Sequence, residues 1–331
     1  MRPFDLSRVQ TPRDAIAAAN SATEFIAGGT TLVDLMRLDV LRPTKVVDIN
    51  PLEQDPRLGG IEVGDGEIRL GALVRMSKAA SDERLAKAMP ALVQSLDLAA
   101  SQQLRNMASL GGNVLQRTRC PYFRDTSWAA CNKREPGSGC AALGGFNRLH
   151  AVLGASDACI ATYPGDWAQA LVALEAMIEI AGPRGERTIP FAELHRMPAS
   201  TPQIETVLEP GDLIVGFRIP RNDRARRSVY VKVRDRASYE FALASAAVAL
   251  DLDGQSVRDV RIALGGIATV PWRAREAEDA LKGKPLDESS ATAAADAAFA
   301  SARTAEHNRF KVPLGKATLV RALLAAKAME I

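Results

Sequence analysis

The chain is short of the residues that most often carry ready-made chemistry. Of 331 residues only 3 are His and 4 are Cys, and aromatics make up 5%. His150, His195 and His307 stand in no H-E-x-x-H or Ser-His-Asp pattern, and no paired-carboxylate motif appears. No zincin or triad-hydrolase motif therefore emerges, and each His is expected to be structural or exposed. No G-x-G-x-x-G and no G-x4-G-K-[ST] occurs, so neither a Rossmann fingerprint nor a P-loop is present. A net charge of +3, with no basic run interleaved with aromatics, excludes nucleic acid as a partner. No apolar stretch is long enough to span a bilayer, so no membrane insertion is expected. The N-terminal MRPFDLSRVQTPRD lacks the apolar core of a signal peptide. The chain by itself reads as cytoplasmic unless a partner carries it across a membrane.

What is present suits a globular protein. Apolar residues make up 47% and charged residues 24%, enough for real cores, and the length suggests two or three domains. Thr11 with Pro12 reads as a helix start. EFIAGGTTLVDLMRL reads as a strand, a Gly-Gly turn and a helix, and TKVVDI as a second strand. IEVGDGEIRLGALVR is expected to form a hairpin turned at Gly64-Asp65-Gly66. A long helical stretch is expected over 78–107, and 166–180 as a helix capped by Asp166 that runs on into a strand. PRGERTIPF is expected to be a turn and GDLIVGFRIP a strand. The charged, Pro-containing stretch 220–227 is the expected domain boundary, followed by a separate α+β domain.

The scarcest residue is also the most unevenly placed: all four cysteines fall between Cys120 and Cys159. Their gaps hold 10, 8 and 18 residues, with no C-x2-C knuckle of the usual zinc kind. A loop folding back on itself would let Cys120, Cys131, Cys140 and Cys159 ligate an iron–sulfur cluster. A zinc site, two disulfides and four unrelated buried thiols remain open alternatives. The turn-rich EPGSGC stretch offers backbone N–H groups that could point at sulfide, and Arg119, Lys133 and Arg134 could offset an anionic cluster.

Two glycine loops suit an anionic ligand. In Ile26-Ala27-Gly28-Gly29-Thr30-Thr31-Leu32 the glycines let backbone approach closely, and the N–H groups and two hydroxyls are donors. Such a turn is more often only a turn. A second loop, Ser109-Leu110-Gly111-Gly112-Asn113, follows in the same N-terminal unit. The two together suggest an extended diphosphate gripped from both sides. Asp166 either caps its helix or binds a ribose hydroxyl. Lys232, flanked by Val231 and Val233, lies on a solvated strand face or beside a cofactor.

IAGGTTLVDLM, the LGGN loop, TYPGDWAQALVALEA and YVKVRDRASYEFA resemble, over essentially the whole chain, the FAD-binding medium subunits of the xanthine dehydrogenase family of molybdenum hydroxylases. The segment QRTRCPYFRD through CNKREPGSGCAALGG resembles, within that family, the flavin subunits of bacterial periplasmic aldehyde oxidoreductases acting on aromatic aldehydes. The resemblance implies an α+β fold: a two-part FAD-binding domain of the PCMH, vanillyl-alcohol-oxidase-like type over 1–220, and a C-terminal α+β domain over 225–331 like that of the carbon monoxide dehydrogenase flavoprotein. The first domain would divide near residue 55 and carry an insertion over about 116–160. It implies FAD held by residues 26–32 with Ser109, Gly112 and Asn113, Asp166 facing the adenosine half and Lys232 near the flavin ring. It implies a [4Fe-4S] cluster on the four cysteines. The partners implied are a large molybdenum-cofactor subunit, a small subunit with two [2Fe-2S] clusters and an external electron acceptor. Localisation would be periplasmic, the complex being exported on a signal of the small subunit. Ser109 stands where the family usually has Thr, which keeps the hydroxyl. Ser238-Tyr239-Glu240-Phe241 replaces the acidic pair of the NAD-reducing members, so NAD is not the implied acceptor. A stand-alone flavin oxidase and a zinc-stapled interaction subunit are the alternatives.

Overall fold

The computed structural model describes residues 1–331 as three sheets with helices between and around them. No helix is long and apolar enough to cross a membrane. At the N-terminus β1 (Asp5–Arg8), β2 (Thr23–Ile26) and β3 (Lys45–Asp48) form a parallel sheet in the order β1-β3-β2. Thr11 accepts from Asp14 N–H and caps the helix Pro12–Ala18 that links the first two strands. The helix Leu32–Arg37 follows the Gly-Gly turn and buries Leu32, Leu35 and Met36.

The second sheet is antiparallel, with order β4-β5-β8-β6-β7: β4 (Ile61–Val63), β5 (Glu67–Gly71), β6 (Met177–Gly182), β7 (Gly185–Pro190) and β8 (Leu213–Pro220). PRGERTIPF is therefore not simply a turn. After a tight reversal, Gly185–Pro190 returns along β6 in full register. The helical stretch 78–107 is four short helices, Met76–Ala80, Glu83–Ala88, Pro90–Asp97 and Gln102–Met107. Pro90 drives Met89 out of helical geometry (ψ 72°). Asp82 and Ser101 start new helices as caps, and Ala100 at φ +47° turns the chain before Ser101.

The third sheet holds β9 (Ser228–Val233), β10 (Ala244–Asp253), β11 (Ser256–Gly265) and β12 (Trp272–Arg273), antiparallel in the order β12-β11-β10-β9. Strand β10 is apolar on both faces because it is buried on both. Ala244, Ala246, Val248 and Leu250 pack under the C-terminal helices, while Ala247 and Ala249 join the large N-terminal core around Trp167. Glu175, at φ +53°, ties the two halves together. Its carboxylate accepts from Arg261 (2.7 Å), Arg273 (3.2 Å) and Arg224 (2.5 Å).

Candidate functional site

A cleft of about 430 Å3 opens between the N-terminal unit, the short helices and the loop after β9. A recess of about 180 Å3 adjoins it, and Thr30 and Thr31 line both. The recess is floored by residues 26–32, with Ser109 and Gly112 opposite. All the expected loop residues are thus brought together.

The Gly28 loop is built to keep donors free. The backbone N–H groups of Gly28, Gly29, Thr30, Thr31 and Leu32 donate to no acceptor within the chain, and neither threonine hydroxyl is engaged. Gly28 to Thr31 are half-buried and the Leu32 N–H is one that a helix start leaves free, so five unpaired donors in a row line a recess and suit a multiply charged oxyanion. Gly29 has φ +70°, and a Cβ on Gly28 would lie 2.0 Å from Met107 O, so backbone meets backbone there. Arg75 braces this approach by donating to Met107 O (2.6 Å) and to Asn50 Oδ1 (2.8 Å), and Asn50 in turn donates to Ala27 O (3.0 Å). Arg75 and Asn50 are braces for which the sequence carries no motif.

The second glycine loop works differently from the first. Gly112 N–H is taken by Ser109 Oγ (3.2 Å) and Gly111 N–H by Ala72 O (2.8 Å), so its backbone is committed internally. Its contribution is the Ser109 hydroxyl proton; Asn113 lines the larger cleft, with Oδ1, an acceptor, buried without a partner and Nδ2 3.4 Å from Met76 Sδ. A diphosphate would be held by backbone on one side and by the Ser109 hydroxyl on the other.

Asp166 lines the larger cleft but does not cap its helix. Its carboxylate accepts from Lys232 Nζ (2.8 Å) and Tyr230 Oη (2.6 Å), and Lys232 also donates to Leu98 O (3.0 Å). The pair is buried, with side chains 1% and 5% exposed. Lys232 is therefore on no solvated face. It stands behind Asp166, so the two cannot serve opposite ends of an extended ligand. Burial pushes the Asp166 carboxyl up, against the pull of Lys232 and Tyr230. Tyr230 was missed by the sequence reading, although its place two residues before Lys232 on β9 puts both on one face. At the cleft mouth Arg119 and Arg124 pair with Asp34 (3.0 and 2.8 Å), and Arg119 lies 5.0 Å over the Phe241 ring.

The four cysteines are free thiols in one neighbourhood. Cys120 packs against the small core of Leu35, Phe123 and Cys131, and with Cys140 against that of Tyr122, Ala142 and Ile160. The donor chemistry suits an iron–sulfur cluster, yet no three His, Cys, Asp or Glu side chains converge as a metal centre. Burial pushes the Cys120 thiol up to about 12 and also raises Cys159, against the pull of Lys133. His150 is buried with Nε2 3.2 Å from Cys120 Sγ, and burial lowers it to about 4, so it is neutral. The EPGSGC amides are less free than expected, because Asn132 Oδ1 takes the N–H groups of Gly137 and Gly139. Of the expected cations only Lys133 acts on a thiol: Arg134 staples the carbonyls of Tyr122 and Phe123, and Arg119 belongs to Asp34.

The family model of the FAD binding domain in molybdopterin dehydrogenase matches residues 2–222, and that of the CO dehydrogenase flavoprotein C-terminal domain matches 229–326. The chain is 47% identical to the aldehyde oxidoreductase FAD-binding subunit PaoB of Escherichia coli (strain K12), over 99% of each chain. It is 26% identical to the carbon monoxide dehydrogenase medium chain of Hydrogenophaga pseudoflava, over 93% of this chain and 90% of that one. A solved structure of carbon monoxide dehydrogenase from that organism superposes with a TM-score of 0.76, covering 99% of this chain and 98% of that chain.

Proposed function

Because the chain belongs to the FAD-binding subunits of the molybdopterin dehydrogenases, we propose that it is the electron-transfer flavin subunit of a three-subunit molybdenum aldehyde oxidoreductase. Aldehyde would be oxidised to carboxylate in a large molybdenum-cofactor subunit. Electrons would arrive through the [2Fe-2S] clusters of a small subunit and leave by FAD to an external acceptor. Bound FAD supplies the redox chemistry; the residues of this chain hold and orient it. The free N–H groups of Gly28–Leu32 and the Thr30 and Thr31 hydroxyls would hold the diphosphate. The Ser109 hydroxyl would close on it from across the recess, and Asn113, on the larger cleft, would offer its unpaired Oδ1 to a donor group of the cofactor. The larger cleft would take the flavin ring against Asp166, whose charge and orientation Lys232 and Tyr230 fix from behind.

A [4Fe-4S] cluster on Cys120, Cys131, Cys140 and Cys159 belongs to the same reading, supported by four free thiols in one neighbourhood and none elsewhere. So does export of the assembled complex to the periplasm, which cell fractionation tests. The observation that carries the proposal is the run of five unpaired N–H groups beside the Asp166 cleft, in a chain close to an aldehyde oxidoreductase subunit. The test is aldehyde addition under anaerobic conditions. In the co-purified complex the flavin absorbance should bleach; in the isolated chain it should not. Aldehyde turnover by the isolated chain overturns the proposal.

A further inference from the structure

Part of the cysteine insertion folds into a knuckle whose hydrogen bonds involve no thiol. Cys131 and Cys140 oppose one another as an isolated antiparallel pair. Asn132 N–H donates to Gly139 O (2.7 Å) and Ala141 N–H to Ala130 O (2.9 Å), with no bond between Cys131 and Cys140 themselves. This is the non-hydrogen-bonded position of an antiparallel ladder, where opposed Cα atoms lie about 4.5 Å apart and side chains come closest. That spacing falls within the roughly 4.4–6.8 Å that a disulfide spans. The turn between them is fixed by its own bonds. Asn132 Oδ1 accepts from Gly137 N–H (3.1 Å) and Gly139 N–H (2.8 Å), and Ser138 Oγ accepts from Cys131 N–H (3.0 Å). Gly137 and Gly139, at φ +87° and +96°, make its shape one that other residues would strain. Neither remaining cysteine has such a partner: Cys159 is bridged to Ser156, and Cys120 to nothing.

We propose that Cys131 and Cys140 are a built thiol–disulfide pair, a modification site that takes low-molecular-weight disulfides and, once oxidised, cannot accept a cluster. The competition with a cluster rests on the function proposed above; the pairing itself does not. Cys140 is the half-buried member and Cys131 the buried one. Cys140 sulfur attacks the small disulfide and expels one thiol. Cys131 sulfur then attacks the mixed disulfide at Cys140 and expels the second. The two protein thiols give up two electrons and two protons, and the small disulfide becomes two thiols.

Each cysteine falls in its own tryptic peptide: 120–124, 125–133, 135–148 and 149–184. The full-length metal-free chain is treated with oxidised glutathione, alkylated and mapped without reduction. The expected result is peptide 125–133 linked to 135–148, about 2 Da lighter than the two thiol peptides together, with Cys120 and Cys159 alkylated. Any other linkage, a persistent glutathione adduct on Cys140, or four alkylated thiols overturns the pairing. In a second arm, oxidised and dithiothreitol-treated samples receive ferrous iron and sulfide. Iron uptake only after dithiothreitol is expected, and equal uptake by both samples overturns the competition. No uptake by either would remove the cluster reading and the competition with it, while the peptide map still decides the pairing.

Discussion

Replacing Lys232 by Met tests whether the Asp166 cleft is built as described. Met keeps most of the stem volume and removes the charge, leaving a carboxylate 4% exposed with only the Tyr230 hydroxyl (2.6 Å) to satisfy it. Stranding one partner of a buried ion pair costs about 3–5 kcal/mol. For a chain of 331 residues that is a fall in Tm of roughly 4–7 °C. The double variant Lys232→Met, Asp166→Asn strands no charge and should recover most of the loss. The sign of the pH dependence follows from the carboxyl. Burial already raises it, and losing Lys232 removes the main opposing pull, so its folded-state value climbs further above the unfolded one. A raised carboxyl favours the fold below its unfolded value and loses that advantage as pH rises through the folded one. The single variant should therefore be closest to the parent near pH 4 and fall behind towards neutrality. Urea unfolding of parent, two single variants and double variant at several pH values measures this. A single variant within about 0.5 kcal/mol of the parent at pH 7 would refute the buried pair, as would a double variant no better than the sum of the singles.

Gly28→Ala places a methyl 2.0 Å from Met107 O, where backbone must move on one side or the other. FAD affinity should drop at least tenfold, about 1.4 kcal/mol, by fluorescence titration of the flavin-stripped chain. Tyr230→Phe leaves Asp166 Oδ1 without its donor and should cost about 1–3 kcal/mol in urea unfolding. Glu175 is pushed up by burial but held below its ordinary value by Arg261, Arg224 and Arg273, so it supports the fold at neutral pH and loses that support as pH falls. Glu175→Gln should flatten the acid limb of the stability profile, and an unchanged limb would show that other carboxylates set it. Cys120→Ser should lower iron and acid-labile sulfide in the co-purified complex while leaving FAD per chain unchanged.

The local grammar of the chain was legible where punctuation sits beside the element it ends. The strand, Gly28-Gly29 turn and helix Leu32–Arg37 lie where the glycines and the spacing of Leu32, Leu35 and Met36 put them. Likewise Gly64-Asp65-Gly66 turns β4 into β5. The stretch 78–107 was misread because its composition is helical throughout, while Pro90 and the left-handed Ala100 break it. Asp166 reads as a cap because Asp before an amphipathic run usually is one, but residues 64 and 66 positions later claim its oxygens. Tertiary partners of this kind leave no local trace. The second glycine loop has the composition of the first, and only the structure shows that its amides are already spent. The four cysteines announced a site by crowding, but the register that opposes Cys131 to Cys140 follows from the turn geometry and not from spacing.

The most direct measurement is the FAD, iron and acid-labile sulfide content of the chain purified anaerobically with its partner subunits. One FAD per chain, with about four iron and four sulfide beyond those of the small subunit, is the predicted result. A colourless chain whose partners keep their own cofactors would contradict the flavin site, and FAD without the additional iron would contradict the cluster.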